Sequence, residues 1–406
     1  MEKKWVKMPE VLFFQEGPGV RNTQYTSSGV KLLNVANLVD GRVDLSTSDR
    51  YISEEEAYGK YSHFLCDAGD FIVASSGIKV EYVDKKMGFI EESMLPLCMN
   101  TSTIRFKALD PSRLLIRYFM YYMKSFHFKE QLSRFITGSA QLNYGPSHLN
   151  KMVMPLVPII MQKKVITQLD EAQTLIALCK QQLTKLDDLT KARFVEMFGD
   201  PEANPMKWGY IQLGEICDLQ NGYAFKSDDY LDHSTVLNCR MSNIRPDGGF
   251  DADYHPKYLP DEYWDTYQSY RLVDGDVIIA MTDMASDPKI LGVPTIVKSN
   301  GHKFLLNQRV GKLLFRDTGR MNNTYIMFFL GQAYIRKSLA KAAGGSTQIN
   351  VGKPAILSIT ILEPPLQLQD DFAHFVSQVD KSKIAVQKAL DEAQLLFDSL
   401  MQKYFG

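Results

Sequence analysis

Apolar residues recur at alternating spacings of four and three in two long stretches of the chain. The first stripe consists of Val165, Leu169, Ala172, Ile176, Cys179, Leu183 and Leu186. The second lies 207 residues later and consists of Phe372, Val376, Val379, Val386, Leu390 and Ala393, continuing to Phe397, Leu400 and Tyr404, and only Lys383 interrupts it. An apolar period of 3.5 residues held over about four heptads predicts two long helices packed as a coiled coil. The alternative is two amphipathic helices that each cover their own β domain.

A β-rich stretch precedes each long helix. Short apolar runs such as KLLNVA, DFIVA, TVLNC and DVIIAM are separated by Gly, Asp, Asn and Pro turns, which predicts strands. A helical stretch is predicted roughly over 112–136 and again over 321–343, followed by the proline-containing bridges PLVPII and LEPPLQ. The segment GDPEANPMKWG at 199–209 predicts the end of the first long helix and a linker.

The two halves of the chain carry matching peptides in matching places. TGSAQLN at 137–143 and GGSTQIN at 344–350 lie 207 residues apart. At nearly the same offset, GDFIVA matches GDVIIA, Asn100 matches Asn307, and Phe198-Gly199 matches Phe405-Gly406. This pattern indicates a duplicated unit of about half the chain and not a short-period solenoid.

Composition narrows the class of protein. A chain of 406 residues with 45% hydrophobic residues predicts two or three globular domains. Five cysteines fall in no C-x-x-C pair, so neither a zinc site nor a disulfide framework is indicated. No apolar run is long enough to span a membrane, and we expect a cytoplasmic protein. The net charge of −1 restricts any nucleic-acid binding to particular surfaces.

The familiar signatures of enzymes are missing from the sequence. It contains no G-x-G-x-x-G after a strand, no phosphate loop and no G-x-S-x-G elbow. NPMKW at 204–208 only approaches a methyltransferase amide-proline motif, and Asp247 with Asp287 and Lys289 only formally meets a metal-nuclease pattern. Both lie in turn sequences, so we interpret the chain as a binding protein with two similar halves.

The paired motifs, the bridges that end in Gln and the paired helices that end in F-G resemble the specificity subunit of type I restriction-modification systems. The resemblance covers essentially the whole chain. It implies an α+β fold with two similar, mostly-β target recognition domains, separated by two long antiparallel coiled-coil helices and related by a pseudo-twofold axis from the internal duplication. We expect the recognition domains at 1–157 and 200–364, the central helix at 158–199 and the C-terminal helix at 365–406.

The resemblance also implies a function and partners. Each domain would read one half of a bipartite, asymmetric site in double-stranded DNA, and the helices would dock two methyltransferase (modification) subunits and set the spacer. Restriction subunits would join the full complex. The chain itself would be non-catalytic and hold no cofactor, with S-adenosylmethionine bound by the partner. The alternatives are a DNA methyltransferase or nuclease with unrecognised motifs, and a helical assembly scaffold.

Candidate DNA contacts follow from chemistry, because recognition domains diverge too far for residues to be carried over from the family. Base edges are read by Arg, Lys, Asn, Gln, Ser or Thr on loops that can enter a groove. In the first half the candidates are Arg21, Asn22, Gln24, Tyr25, Lys31, Ser75, Ser76, Lys79, Ser139 and Gln141. In the second half they are Asn221, Tyr223, Lys226, Arg240, Asn243, Arg245, Thr282, Lys289, Gln308, Arg309, Ser346 and Gln348.

The repeated G-[ST]-x-Q-x-N peptide has two interpretations. Gly138 and Gly345 follow predicted helices, where a residue free to adopt positive φ caps the C-terminus and the polar residues bind backbone groups in the turn. Alternatively, Ser139, Gln141, Ser346 and Gln348 hold a phosphate, a contact that carries no sequence information and that unlike recognition domains can share.

Overall fold

The chain divides into two units that repeat one architecture. A computed structural model describes residues 3–135, 143–316, 319–345 and 347–406. The first unit comprises Met1–Gln182 with Val386–Gly406, and the second comprises Leu183–Ala385. Within the described residues, no helix combines the length and apolar character needed to cross a membrane.

The first unit carries small sheets followed by helices. Its elements are β1 (Lys4–Lys7), β2 (Leu12–Glu16), β3 (Val30–Leu33), β4 (Leu38–Val39), β5 (Arg42–Val43), β6 (Tyr51–Ile52), α1 (Glu54–Tyr58), β7 (Phe71–Ala74), β8 (Met87–Phe89), β9 (Leu97–Met99), β10 (Thr103–Ala108), α2 (Ile116–Lys124), α3 (Phe126–Phe135), α4 (Pro146–Leu149), β11 (Val153–Leu156) and the start of α5 (Ile159–Phe198). The sheets are β2-β10-β7-β8, β6-β3-β9, β1-β11 and β4-β5.

The second unit repeats this order. Its elements are β12 (Gly209–Gln212), α6 (Leu213–Ile216), β13 (Cys217–Asn221), β14 (Val236–Cys239), β15 (Tyr258–Leu259), α7 (Tyr263–Thr266), β16 (Arg271–Leu272), β17 (Val277–Ala280), β18 (Thr282–Met284), β19 (Pro294–Ile296), β20 (Lys303–Leu306), β21 (Val310–Phe315), α8 (Asn323–Leu330), α9 (Ala333–Ala342), β22 (Gln348–Asn350), α10 (Lys353–Leu357), β23 (Thr360–Glu363) and the start of α11 (Leu366–Phe405). The sheets are β13-β21-β17-β19, β15-β14-β20-β16, β12-β23 and β18-β22.

The duplication is visible in strand pairing. In the first unit β3 runs parallel to β9, and in the second β14 runs parallel to β20. In the separate sheets β2-β10-β7-β8 and β13-β21-β17-β19, all strand pairs are antiparallel. The two copies therefore share topology and differ in the loops between strands.

The expected helical stretches each form two helices. The first breaks at Ser125, whose φ of −73° and ψ of 155° are extended. The second breaks at Gly331 and Gln332, between α8 and α9. Ser125 Oγ donates to the carbonyl of Tyr122 at 2.6 Å and accepts from the N–H of Phe128 at 3.3 Å, so the side chain satisfies both flanks of the break.

The coiled-coil prediction is confirmed within each unit. In the first, Val165 and Leu169 are buried with Tyr404, and the Tyr404 hydroxyl bonds Gln168. In the second unit, Phe194 packs against Phe372 with ring centroids 5.5 Å apart.

The one polar interruption of the stripe has a partner across the helix pair. Lys383 Nζ lies 2.6 Å from Asp187 Oδ1. Phe198 contacts Phe372, and the guanidinium of Arg193 lies over the ring of Phe375, so the two segments run antiparallel. A polar residue at such a position fixes helix register at some cost in stability.

A buried glutamine near the start of each long helix forms hydrogen bonds with the backbone of its unit. The Leu115 N–H donates to Gln162 Oε1 at 2.9 Å, while Gln162 Nε2 donates to the carbonyls of Arg113 at 2.7 Å and Val157 at 2.8 Å. Gln162 is fully buried. The start of α2, the bridge and the first turn of α5 therefore meet on one side chain.

Gln369 repeats this arrangement in the second unit. It accepts from the Asn322 N–H at 2.8 Å and donates to the carbonyls of Arg320 at 3.2 Å and Pro364 at 2.8 Å. Gln369 is also fully buried. These buried hydrogen bonds explain why each proline-containing bridge in the sequence ends in Gln.

We predict that Gln162→Leu lowers the free energy of unfolding of the first unit by about 2–4 kcal/mol, because it leaves buried backbone donors and acceptors without partners. Gln181→Leu, on the exposed surface of the same helix, should change it by less than about 0.5 kcal/mol. Hydrogen exchange in increasing urea, followed on peptides of each unit, measures both. A first unit equally stable in both variants would contradict the assigned role.

Candidate nucleic-acid interface

Three loops of the first unit meet at one end of its main sheet. Residues 17–25 follow β2, residues 75–79 follow β7, and residues 100–102 precede β10. The strand register brings these ends together, since Ala74 pairs with Thr103 and Glu16 with Ile104. The three loops therefore form one continuous surface, which we call the first loop face.

The second unit has the equivalent surface, the second loop face. Residues 221–226 extend from the end of β13, residues 281–289 follow β17, and residues 307–309 precede β21. Met281 N–H donates to the Arg309 carbonyl at 2.9 Å, as Ser75 N–H does to the Ser102 carbonyl at 2.8 Å in the first unit. Candidate loops scattered along the sequence are thus brought together in each unit.

Each loop face is built around a glycine and an asparagine in close contact. A Cβ placed on Gly17 would lie 2.1 Å from the Asn100 carbonyl oxygen, and one on Gly222 would lie 2.1 Å from that of Asn307. Only glycine permits this approach of two backbone segments. The matching of Asn100 with Asn307 in the sequence reflects this shared junction.

The G-[ST]-x-Q-x-N segment joins each loop face. In the first unit, Ser76 pairs with Asn143. In the second, strand β22 pairs with β18, and Thr282 Oγ1 donates to Asn350 Oδ1 at 2.7 Å. Ser139, Gln141 and Ser346 lie outside the described residues, and Gln348 is half-buried on β22.

The capping role expected for Gly345 is wrong. Helix α9 ends at Ala342, and Ala343 adopts an extended backbone as the C-cap. Gly345 lies beyond it with a φ of 122°, and a Cβ there would lie 2.0 Å from the Gln348 carbonyl oxygen. Glycine is required by a tight loop and not by a helix terminus. Gly138 lies outside the described residues.

Several first-unit candidates bond other protein groups. Gln24 Nε2 donates to Glu56 Oε1 at 2.6 Å and to the Tyr61 hydroxyl at 3.0 Å. Lys31 Nζ lies 2.7 Å from Asp49 Oδ1, and this hydrogen bond lowers the pKa of Asp49 and raises that of Lys31. These contacts give Gln24 and Lys31 roles inside the fold.

The remaining first-unit candidates differ in exposure. Ser75 is buried, and its hydroxyl has no partner among the described residues. Ser76 is half-buried, and Arg21, Asn22 and Lys79 are exposed on the first loop face.

Tyr25 has a neighbour that sequence reasoning missed. The Arg50 guanidinium lies 5.2 Å from the centre of the Tyr25 ring, and Asn100 Nδ2 donates to Asn34 Oδ1 at 2.8 Å nearby. Because Gln308 and Arg309 lie 207 residues after Thr101 and Ser102, the repeat offset could have identified Thr101 and Ser102 as candidates. No sequence feature singles out Arg50.

In the second unit, two candidates lie inside the fold. Asn243 Oδ1 accepts from the Arg240 N–H at 2.8 Å, and Asn243 Nδ2 donates to the Asp251 carbonyl at 2.8 Å. Asn243 and Thr282 are both buried. Asn37 repeats the arrangement, accepting from the Asn34 N–H at 3.0 Å, so these asparagines hold a loop in shape.

The other second-unit candidates reach the surface to different extents. Arg240 is half-buried, and Arg245 is held with its guanidinium 4.5 Å from the centre of the Tyr254 ring. Lys289 pairs with Asp287 at 3.2 Å. The fully exposed candidates are Asn221, Lys226, Lys289, Gln308 and Arg309.

Tyr223 belongs to a cluster of aromatic side chains beside the second loop face. Its ring centroid lies 4.5 Å from that of Tyr267 and 5.4 Å from that of Tyr270. A hydrogen bond with Tyr223, aided by burial, raises the pKa of Tyr267 to about 12. The Tyr267 phenol therefore loses its proton less readily than a free tyrosine does.

The acidic residues that formally met a nuclease pattern have turn roles. Asp247 Oδ1 accepts from the Gly249 N–H at 2.9 Å, and Asp287 pairs with Lys289. Within the described residues, no group of three or more His, Cys, Asp or Glu side chains is placed to hold a metal ion.

The sequence of the second unit matches a known family. Residues 205–394 match the Type I restriction modification DNA specificity domain. The chain is 25% identical over 272 residues to the Type I restriction enzyme MjaVIII specificity subunit of Methanocaldococcus jannaschii, a match that covers 60% of this chain and 62% of that protein's length. Residues 205–394 therefore carry a match to the type I restriction modification DNA specificity domain, and the chain is similar to a type I specificity subunit.

The fold of the whole chain is similar to that of solved structures. A crystal structure of a type I restriction-modification S subunit from M. genitalium matches with a TM-score of 0.55 at 15% identity, covering 100% of this chain and 96% of that one. A second structure, solved in work on assembly and conformational transition of the type I R-M system, matches with a TM-score of 0.57 at 17% identity, covering 99% and 97%. The fold of these two structures therefore extends over both units.

We predict that Asn243→Ala lowers the free energy of unfolding by about 2–3 kcal/mol, because two buried backbone groups lose their partner. Asn221→Ala, an exposed asparagine of the same unit, should change it by less than about 0.5 kcal/mol. Urea denaturation followed by circular dichroism compares them. Equal stability of the two variants would return Asn243 to the set of candidate DNA contacts.

Proposed function

We propose that this chain is the non-catalytic DNA-specificity subunit of a type I restriction-modification complex. The observation that carries the proposal is the loop face, which occurs once in each unit and gathers side chains able to bond base edges and phosphates. Two such faces on one chain suit a DNA site of two halves. The complex would act in the cytoplasm.

The two loop faces present different side chains on the same backbone plan. Thr101 and Ser102 of the first loop face correspond to Gln308 and Arg309 of the second. Arg pairs well with guanine, and Gln or Asn with adenine, in the major groove. Different side chains at equivalent places would read different bases, so the proposed bipartite site is asymmetric.

The long helices offer equivalent positions for a repeated partner. Leu189 on α5 and Leu396 on α11 are 207 residues apart, and each is 48% exposed. Exposed leucines on a helix suit burial against another protein. One such position in each unit suits two copies of a modification subunit, which would carry S-adenosylmethionine. Restriction subunits would join this assembly, and the helices would set the spacer between the half-sites.

We predict that Arg309→Ala relaxes the base preference at one position of the recognised sequence and costs about 1–3 kcal/mol of binding free energy, because the variant cannot form an arginine–guanine pair. Arg316→Ala is a matched control, since Arg309 and Arg316 flank strand β21 and are both exposed. Mapping methylated bases in cells that express the chain with its modification subunit measures the preference.

The control should leave the recognised sequence unchanged, and the half-site read by the first unit should stay the same in both variants. Uniform weakening by Arg309→Ala would reassign the residue to a phosphate. Methylation at no defined sequence with the wild-type chain would refute the proposed function.

We predict that Leu189→Asp and Leu396→Asp each reduce the number of bound modification subunits from two to one, because a buried carboxylate opposes docking. The double variant should bind none. Leu231→Asp, an exposed leucine away from the long helices, is the control and should keep two. Native mass spectrometry of the purified complex counts the subunits. Two subunits on the double variant would move the docking surface elsewhere.

A further inference from the structure

A cavity of about 350 Å³ opens beside the first loop face. Its walls are the turn Val39–Asp40, the segment Gly77–Lys79, and Tyr82 and Lys85 of the 3-10 helix Val80–Lys85, with Lys86 after it. Gly77–Lys79 directly follows Ser76, so the cavity continues the surface formed by the loops.

Backbone hydrogen bonds fix the walls of the cavity. The Gly41 N–H donates to the Lys85 carbonyl at 3.0 Å, and the Ala74 N–H donates to the Lys86 carbonyl at 2.9 Å. Val83 anchors the 3-10 helix by complete burial. The backbone that carries the lysines is therefore already held in place, so less of the protein has to be ordered when a ligand binds.

The cavity is strongly positive. Lys79, Lys85 and Lys86 line it with one carboxylate, that of Asp40. In the described chain none of the three lysines lies within salt-bridge distance of a carboxylate, and Lys85 Nζ lies 5.4 Å from the centre of the exposed Tyr82 ring. The neighbouring Asp84 already pairs with Lys129 at 2.9 Å. Three ammonium groups without carboxylate partners suit an anion.

The second unit shows that the fold does not require these lysines. Gly41 and Gly248 are equivalent and have φ values of 81° and 85°, so both units share the wall turn. The residues 207 positions after Lys79, Lys85 and Lys86 are Ser286, Gly292 and Val293. The charge is therefore an addition to one copy of a shared scaffold.

We propose that this cavity binds backbone phosphate of the DNA duplex through Lys79, Lys85 and Lys86. The inference rests on the proposed function and adds a phosphate site to the first unit that the second unit lacks. Lysine is a compact point charge without the planar fork that reads guanine, which favours phosphate over a base edge. The position beside the loop face favours the DNA backbone over a free anion.

The test uses the full chain in complex with its modification subunits. Binding of two duplexes, one with the mapped site and one scrambled, is measured by fluorescence anisotropy over a range of salt concentrations. The triple variant Lys79→Ala, Lys85→Ala, Lys86→Ala is compared with Lys4→Ala, Lys7→Ala, Lys60→Ala, which removes three exposed lysines elsewhere in the first unit. A triple Lys→Arg variant at 79, 85 and 86 preserves the charge.

The slope of log affinity against log salt should fall in magnitude by about 0.9 for each phosphate that the Ala variant no longer neutralises, on both duplexes, and not in the control or the Arg variant. An unchanged slope on both duplexes overturns the proposal, as does release of the modification subunits from the Ala variant with the slope retained. Equal wild-type affinity for the two duplexes would refute sequence recognition instead, while the slopes would still decide the phosphate site.

Discussion

The fold of each unit depends on one buried amide. In the first unit, Gln162 bonds the residue before α2 and the bridge before α5, and in the second, Gln369 bonds the residue before α8 and the bridge before α11. Among the hydrogen bonds of the described residues, no other side chain joins these two places. An amide can donate and accept at once, which no apolar residue of its size can do. Because the bonded groups are buried backbone atoms, any displacement of the long helix leaves them unsatisfied. This constraint fixes the long helix relative to the sheet whose loops form the interface.

In the candidate interface, the residues that hold the backbone in place differ from the exposed residues that could contact DNA. Asn37 and Asn243 hold one loop from inside, and the contact of Gly17 with Asn100, or of Gly222 with Asn307, holds another. The ion pair Arg105–Asp70, at the other end of strand β7, has the counterpart Lys312–Asp276 in the second unit. With the backbone held by these repeated contacts, the exposed neighbours can change without cost to the fold. Rigid support with variable side chains is the arrangement that specific binding needs.

Sequence reasoning predicted the long helices and the duplication well, because a period of 3.5 and an offset of 207 are direct properties of the chain. It chose candidate loops by the chemistry of their side chains, and several of these loops lie together in each unit. It could not separate Asn243 from Asn221, since a buried structural asparagine and an exposed one have the same composition and differ only in tertiary contacts. The helix break at Ser125 was also missed, because the apolar run continues through it. Gly345 is required because the Gln348 carbonyl lies close to it, and no local sequence pattern predicts that contact.

The two units differ in the kind of polar side chain that they carry at their candidate interfaces. Among the described residues, the first unit carries lysines without carboxylate partners at its loop face, whereas the second carries Arg240, Gln308 and Arg309 at equivalents of smaller polar residues. Phosphate contacts add affinity and salt dependence without sequence information, and forked or amide side chains add discrimination. Under the proposed function, the first unit would contribute more of the electrostatic attraction and the second more of the direct readout. A chain with a net charge of −1 has no overall attraction to DNA, so local clusters of positive charge would supply the electrostatic part of binding.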